Sequence, residues 1–197
     1  MQSYDLTKLK VLIVDRQPPM RVLLRQILRE FGVGHIVEAD SVDEGFREFN
    51  RLVPDLVLVD WCPEFDGLAL VRRIRTGKES LFPQAPIIMV TAYGETQRVF
   101  QALDAGMTEY LVKPVSPSLL YTRIVNAIEN ARPFIRSKAY TGPCRRRHAL
   151  TFGGPERRRS GAKAAGAGTN KPTPAPVATP VTTQEAAGEA ARQAEAA

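Results

Sequence analysis

The sequence predicts an α/β fold, a five-stranded doubly wound parallel sheet followed by a disordered carboxyl-terminal extension. Three observations predict it. Short, nearly continuous apolar runs (KVLIVD, DLVLVD, PIIMVT) read as strands buried on both faces, as in a parallel sheet. Between them lie segments whose apolar residues recur at helical spacing. The two kinds of segment alternate from Lys8 to about Asn130, which describes one open sheet with helices on both faces.

The elements follow in order. Lys10–Asp15 is the first strand, an apolar run closed by a carboxylate. Pro18-Pro19 suit the first turn of a helix, whose one face carries Met20, Leu23, Leu24, Ile27, Leu28 and Phe31; Gly32 and Gly34 close it. His35–Glu38 is a brief second strand, and Ser41 is the N-cap of a helix with Val42, Phe46 and Phe49 inward. Asp55–Asp60 is the third strand and Gly67–Arg75 the third helix. Pro86–Thr91, Glu95–Ala105 and Glu109–Val112 continue as strand, helix and strand, and Ser116-Pro117 caps a last helix running to about Ala131.

In sheets of this kind reactive groups gather at the carboxyl ends of the strands. Here those ends carry Asp15, Asp60, Thr91 and Lys113: a carboxylate pair, a hydroxyl and an ammonium. Together they suit a phosphoryl-accepting site, with a carboxylate able to form an acyl phosphate, oxygens for a hard cation, and a hydroxyl and an ammonium for phosphoryl oxygens. Thr91 or Lys113 alone would be ordinary strand-end residues; their joint spacing with Asp60 is the signal.

With these residues in place the chain resembles the CheY-like response-regulator receiver domains, through VLIVD (11–15), LVLVDW (56–61), DG (66–67), IIMVTA (87–92) and EYLVKP (109–114). The resemblance implies a flavodoxin-like strand order. It makes Asp60 the phosphoacceptor, Thr91 the switch hydroxyl, Tyr110 the rotameric aromatic and Lys113 the phosphate-binding ammonium, with a cis bond to Pro114. It also implies Mg2+ on Asp15, Asp60 and the carbonyl of Cys62, and a histidine kinase as phosphate donor. Two departures count against metal binding. Arg16 stands where the family has a second acidic residue, and DWCPEFDG is one residue shorter than the family's loop. A guanidinium in place of a carboxylate removes an oxygen and adds repulsion. Three outcomes stay open: slow phosphorylation, a vestigial pocket, or an Arg16–Asp60 pair that locks the domain.

The chain's charge lies elsewhere. Ala131–Ser160 holds nine of the 27 Lys and Arg residues against one acid, Glu156, leaving 18 basic and 20 acidic residues in the rest of the 197. The stretch RPFIRSKAYTGPCRRR mixes its arginines with aromatic residues and a Gly-Pro turn signal. Arginine can fork onto the O6 and N7 of guanine or clamp a phosphate, and aromatic rings and guanidinium planes stack on bases. A receiver followed by such a segment resembles the Cle proteins, CheY-like cyclic di-GMP effectors. That resemblance implies cyclic di-GMP on Arg132, Arg136, Ser137, Tyr140, Gly142, Arg145, Arg146, Arg147 and His148, and docking on the flagellar motor switch. It implies, too, a segment that is disordered until ligand folds it against the receiver, near the fourth and fifth helices. Arg157–Arg159 add charge.

The expected organisation is a receiver at 8–130, an arginine-rich ligand segment at 131–160 and a disordered Ala-, Pro-, Thr- and Gly-rich tail at 161–197. Cys62 and Cys144, far apart and with no signal peptide, point to a reducing cytosol. No apolar run is long enough to cross a bilayer. Helix-turn-helix, Gly-rich nucleotide loop, HExxH and zinc-spaced Cys/His patterns are missing, so the expectation is a non-enzymatic regulator. The rivals are a phosphorylation-controlled single-domain regulator and a basic-tailed nucleic-acid binder, the latter less favoured.

Overall fold

Five strands form one parallel sheet: β1 Lys10–Val14, β2 His35–Ala39, β3 Leu56–Asp60, β4 Ile87–Thr91 and β5 Glu109–Val112, in the order β2-β1-β3-β4-β5. A computed structural model describes residues 4–130, 132–137 and 139–145. The readings placed on Arg146, Arg147, His148, Arg157–Arg159 and the 161–197 tail lie outside those residues. The helices are α1 Pro18–Glu30, α2 Val42–Leu52, α3 Gly67–Thr76, α4 Thr96–Ala105 and α5 Pro117–Glu129. Strand order and helix alternation are those expected of a doubly wound sheet.

The sheet divides two apolar layers because successive strand side chains point to opposite faces. Leu12, Val14, Val57, Val59, Ile87 and Met89 pack on one side with Phe46 and Phe49 of α2, Val71 and Ile74 of α3, and Ala102 of α4. Val11, Ile13, Leu56, Leu58, Ile88 and Val90 pack on the other with Leu24, Ile27 and Leu28 of α1 and Leu120 and Ile124 of α5. Both layers are apolar, which is why the strands read as unbroken hydrophobic runs. Ser41, Asp66 and Ser116 cap α2, α3 and α5 by accepting backbone N–H bonds from Glu44, Ala69 and Leu119.

Several boundaries shift by one residue from the sequence expectation, and three differences bear on placement. Leu23 is exposed, because α1 turns Leu24, Ile27 and Leu28 to the sheet and leaves Leu23 about 100° away. Glu95 precedes α4 as its N-cap, and Asp15 follows β1 instead of ending it. Beyond the receiver, Phe134–Arg136 (β6) and Thr141–Pro143 (β7) form an antiparallel hairpin that lies against it.

The hairpin sits under the amino-terminal ends of β4 and β5. Arg132 donates from Nη1 to Cys144 O (2.9 Å) and from Nη2 to Thr108 O, while Cys144 N donates to Pro133 O (2.8 Å). Gly142 lies so close to Gly106, in the turn after α4, that a Cβ on Gly142 would stand 2.8 Å from the Gly106 Cα. Gly106 itself has φ +98°, a left-handed conformation that suits glycine. Contact is thus with α3 and the α4–β5 turn, and, through the Arg145–Asp104 ion pair, with the last turn of α4.

Candidate functional site

At the opposite, carboxyl end of the sheet the four predicted groups converge. Asp15 follows β1, Asp60 and Thr91 end β3 and β4, and Lys113 follows β5. Lys113 Nζ bridges the carboxylates, 2.9 Å from Asp60 Oδ1 and 3.1 Å from Asp15 Oδ2. Asp15 Oδ1 accepts from Gln17 N (2.7 Å). Asp60 Oδ2 is buried without a hydrogen-bond partner. That oxygen is the pocket's free nucleophilic atom.

Burial and the neighbouring carboxylates set the protonation states. Desolvation opposes the Lys113 charge, but the hydrogen bond to Asp60 and the charges of Asp15 and Asp60 outweigh it and hold the ammonium above the usual lysine range. Asp15 is pushed up, chiefly by burial; its Gln17 bond opposes this and the Asp60 charge adds to it. Two carboxylates therefore share one cation.

Thr91 Oγ1 donates to Trp61 O at 2.6 Å and accepts from Tyr93 N at 3.2 Å, so the hydroxyl braces the start of the loop after Asp60. Tyr110 is turned inward, its hydroxyl donating to Tyr93 O at 2.6 Å. Burial pushes that phenol up, with the Glu95 charge adding to the effect. The Lys113–Pro114 bond is cis. Gly67 is required by the loop: a Cβ there would come within 1.9 Å of Asp60 O.

Two features of the donor set weigh against a resident divalent cation. Asp60 Oδ2 is the one uncommitted carboxylate oxygen of the pair. Cys62 O, the expected third ligand, accepts Phe65 N–H (3.0 Å) in the tight bridge that closes the shortened loop. Among the described residues no group of three or more His, Cys, Asp and Glu is placed to hold a metal. Arg16 does not pair with Asp60; its Nη1 reaches Glu64 O at 3.4 Å. The Arg16–Asp60 lock is not formed.

Of the residues expected to bind cyclic di-GMP, several hold the hairpin itself. Ser137 and Tyr140 close the turn through Ser137 N to Tyr140 O (2.8 Å) and Tyr140 N to Ser137 Oγ (3.0 Å). Tyr140 donates its hydroxyl to Pro143 O at 2.6 Å. Arg136 and Arg145 are exposed: Arg136 lies 5.9 Å from the Phe134 ring centroid, and Arg145 4.1 Å from that of Tyr140 with an ion pair to Asp104 at 2.8 Å. Sequence reading missed two residues here. Arg75 is buried at the hairpin seam, and Arg98 stacks between Trp61 (4.9 Å) and Tyr93 (4.2 Å) beside the pocket. The inward periodicity of α3 was the available signal for Arg75.

The response regulator receiver domain model matches residues 11–125. The chain belongs to the response regulator receiver family. Its receiver is 35% identical over 118 residues to the chemotaxis protein CheY1 of Helicobacter pylori, covering 59% of this chain and 94% of that protein. It is 30% identical over 125 residues to the phosphate regulon transcriptional regulatory protein PhoB of Escherichia coli, covering 63% of this chain but only about half, 53%, of PhoB. Among solved structures, a putative response regulator from Chloroflexus aurantiacus superposes with a TM-score of 0.55 at 30% identity, covering 60% of this chain and 96% of that one. All of these matches concern the receiver. No helix among the described residues is long and apolar enough to cross a membrane.

Proposed function

We propose that this receiver protein is a non-enzymatic signalling effector that takes cyclic di-GMP on its arginine-rich segment and carries the signal to a protein target, the flagellar motor switch. The observation that carries this reading is the folded hairpin, which presents Arg145 stacked on Tyr140 and Arg136 near Phe134 on an exposed face. A guanidinium already laid on an aromatic ring is half of a base-stacking site, and its free edge can fork onto guanine O6 and N7. Arg146, Arg147 and His148 continue the chain from there and supply further donors. Arg132, Ser137 and Gly142 act in this reading by shaping the platform. Likeness to proteins named for chemotaxis supports a motility target.

Calorimetry tests it, with cyclic di-GMP set against GTP and duplex DNA over a salt series. The expected result is sub-micromolar, guanine-selective binding that falls about tenfold or more in Arg136→Ala and Arg145→Ala. Equal binding to DNA with a steep salt slope would instead make the segment a nucleic-acid arm.

A second reading, phosphorylation at Asp60 by a histidine kinase, is favoured by the unpartnered Asp60 Oδ2 beside the Lys113 ammonium. Arg16 at the family's second acidic position and the engaged Cys62 carbonyl weigh against it. An acyl-phosphate assay with Mg2+ on wild type and Asp60→Asn decides between them: strong Mg2+-dependent labelling lost in Asp60→Asn moves control back to the pocket.

A further inference from the structure

The hairpin covers an interior charge used neither by the Asp60 pocket nor by the exposed arginine face. Arg75 lies in the last turn of α3, where the inward stripe of Leu68, Val71 and Ile74 carries it into the protein at 2% exposure. Its Nε donates to Gly106 O (2.8 Å), and its Nη1 to Pro83 O (2.6 Å) and Ala85 O (2.8 Å). All three acceptors are neutral carbonyls. Nη2 is buried with no hydrogen-bond partner. Burial pushes the guanidinium down to about 9, yet at neutral pH it remains a cation. A buried charge without a counter-charge is costly, and so is a buried donor left unmade.

Two further guanidiniums stand near it, around the Tyr140 phenol. Burial pushes that hydroxyl up, while hydrogen bonding and charge from Arg145, and the charges of Arg75 and Arg132, pull it down. Arg75 also faces the Phe134 ring at 5.6 Å. The carboxylate paired with this group is Asp104, on Arg145 at 2.8 Å, and its side chain is 62% exposed. Among the described residues Asp104 is the carboxylate ion-paired with this group, through Arg145; Arg75 and Arg132 bond to carbonyls, and Arg75 has a spare N–H.

We propose that Arg75, Arg132 and Arg145 form an oxyanion site at the seam between hairpin and receiver, taking a phosphate or phosphodiester group. The anion displaces Asp104 from Arg145, which keeps its place on the Tyr140 ring, and accepts the free Nη2–H of Arg75. A planar guanidinium with a spare donor suits a phosphate's paired oxygens better than a carbonyl does. For its biological ligand this rests on the cyclic di-GMP reading, the bound group being one of that ligand's phosphodiesters. It adds to that reading a receiver residue, Arg75, outside the arginine-rich segment. The competing role for Arg75 is a strut that only ties three carbonyls together.

The test uses the full chain and inorganic pyrophosphate, titrated against chloride at matched ionic strength and followed by thermal unfolding and phosphorus NMR, with cyclic di-GMP calorimetry in parallel. Asp104→Asn removes the competing carboxylate and is expected to tighten pyrophosphate roughly 2- to 5-fold, the size of an exposed ion pair. Arg75→Lys keeps a cation but loses the fork and is expected to weaken it about tenfold. If Arg75→Lys does not fold, the Asp104→Asn arm still decides. Absence of a pyrophosphate response beyond chloride, or a response unchanged in Asp104→Asn, overturns the site and leaves Arg75 a strut. Cyclic di-GMP binding that ignores both variants also overturns it while the effector reading stands. Pyrophosphate behaving as expected without cyclic di-GMP binding supports the site and sinks the effector reading.

Discussion

Lys113 neutralises two carboxylates at once, and the pocket is short of one positive charge for it. Asp60 Oδ2 has no partner, and the Asp60 charge is among the causes that hold Asp15 above the usual carboxylate range. Removing that charge in Asp60→Asn leaves a one-to-one Lys113–Asp15 pair. The variant is expected to be more stable than wild type by about 1 kcal/mol at pH 7, measured by urea unfolding, with the Asp15 titration midpoint moved down by carbon NMR. A loss of stability would show that Asp60 is better satisfied than its hydrogen bonds indicate. Lys113→Met does the reverse: it strands two buried carboxylates and is expected to cost about 3 kcal/mol. That cost should shrink as pH falls towards the carboxylate range, where Asp15, its carboxyl raised by burial, takes up a proton. Asp15, Asp60, Thr91 and Lys113 were legible in the sequence because each marks the end of a strand. Arg75 was not, although it falls four residues after Val71 on the buried stripe of α3; a charged residue near a helix end reads as a solvated terminus until its surroundings are known.

At the scale of elements, α3 joins the two ends of the molecule. It begins at Gly67, pressed on Asp60 O, and its eighth step delivers Arg75 to the hairpin, a rise of about 12 Å. The β6–β7 hairpin attaches at the seam through the Gly106–Gly142 contact, where there is no space for a side chain. Gly142→Val would drive its Cβ towards Tyr140 Oη and Gly106 Cα, which stand 2.7 and 2.8 Å from an ideal Cβ. The expected outcome is a detached hairpin on an intact receiver. In hydrogen exchange the Ser137 and Cys144 amides, which bond to Tyr140 O and Pro133 O, lose their protection, while the β1, β3 and β4 amides keep theirs. Loss of protection throughout would mean that the hairpin is integral to the receiver core. Three-residue strands are too short to show an alternating pattern in the sequence, and the groups they meet, Thr108, Gly106 and Arg75, lie far away in the chain.

Across the whole molecule, several buried groups fix how stability varies in alkali. Lys113, Tyr110 and Tyr140 all have pKa values raised by folding from 10.5, 10.0 and 10.0, so the folded state holds protons that the unfolded chain releases. Their contributions are fully present below pH 10 and are lost as pH rises through the folded values. Arg75, lowered to about 9, acts in the opposite sense above that pH, since its release of a proton relieves a buried charge. Lys113, Tyr110 and Tyr140 pull the urea midpoint down above pH 10 and Arg75 opposes them; a midpoint that falls there shows that the three raised groups dominate, and one that rises shows that Arg75 does. The two ends also differ chemically: Asp15, Asp60 and Lys113 meet at the carboxyl edge of the sheet, and Arg75 meets the hairpin at the amino edge. The sequence by itself determined the doubly wound sheet and the set of groups at its carboxyl edge, because strand burial and strand ends are local patterns repeated along the chain. Only the tertiary structure decided that Arg16 turns away from Asp60, that Cys62 O is engaged, and that the arginine-rich segment folds over Arg75. Each of these depends on partners distant in sequence, or on the exact closure of one short loop, which no local pattern encodes.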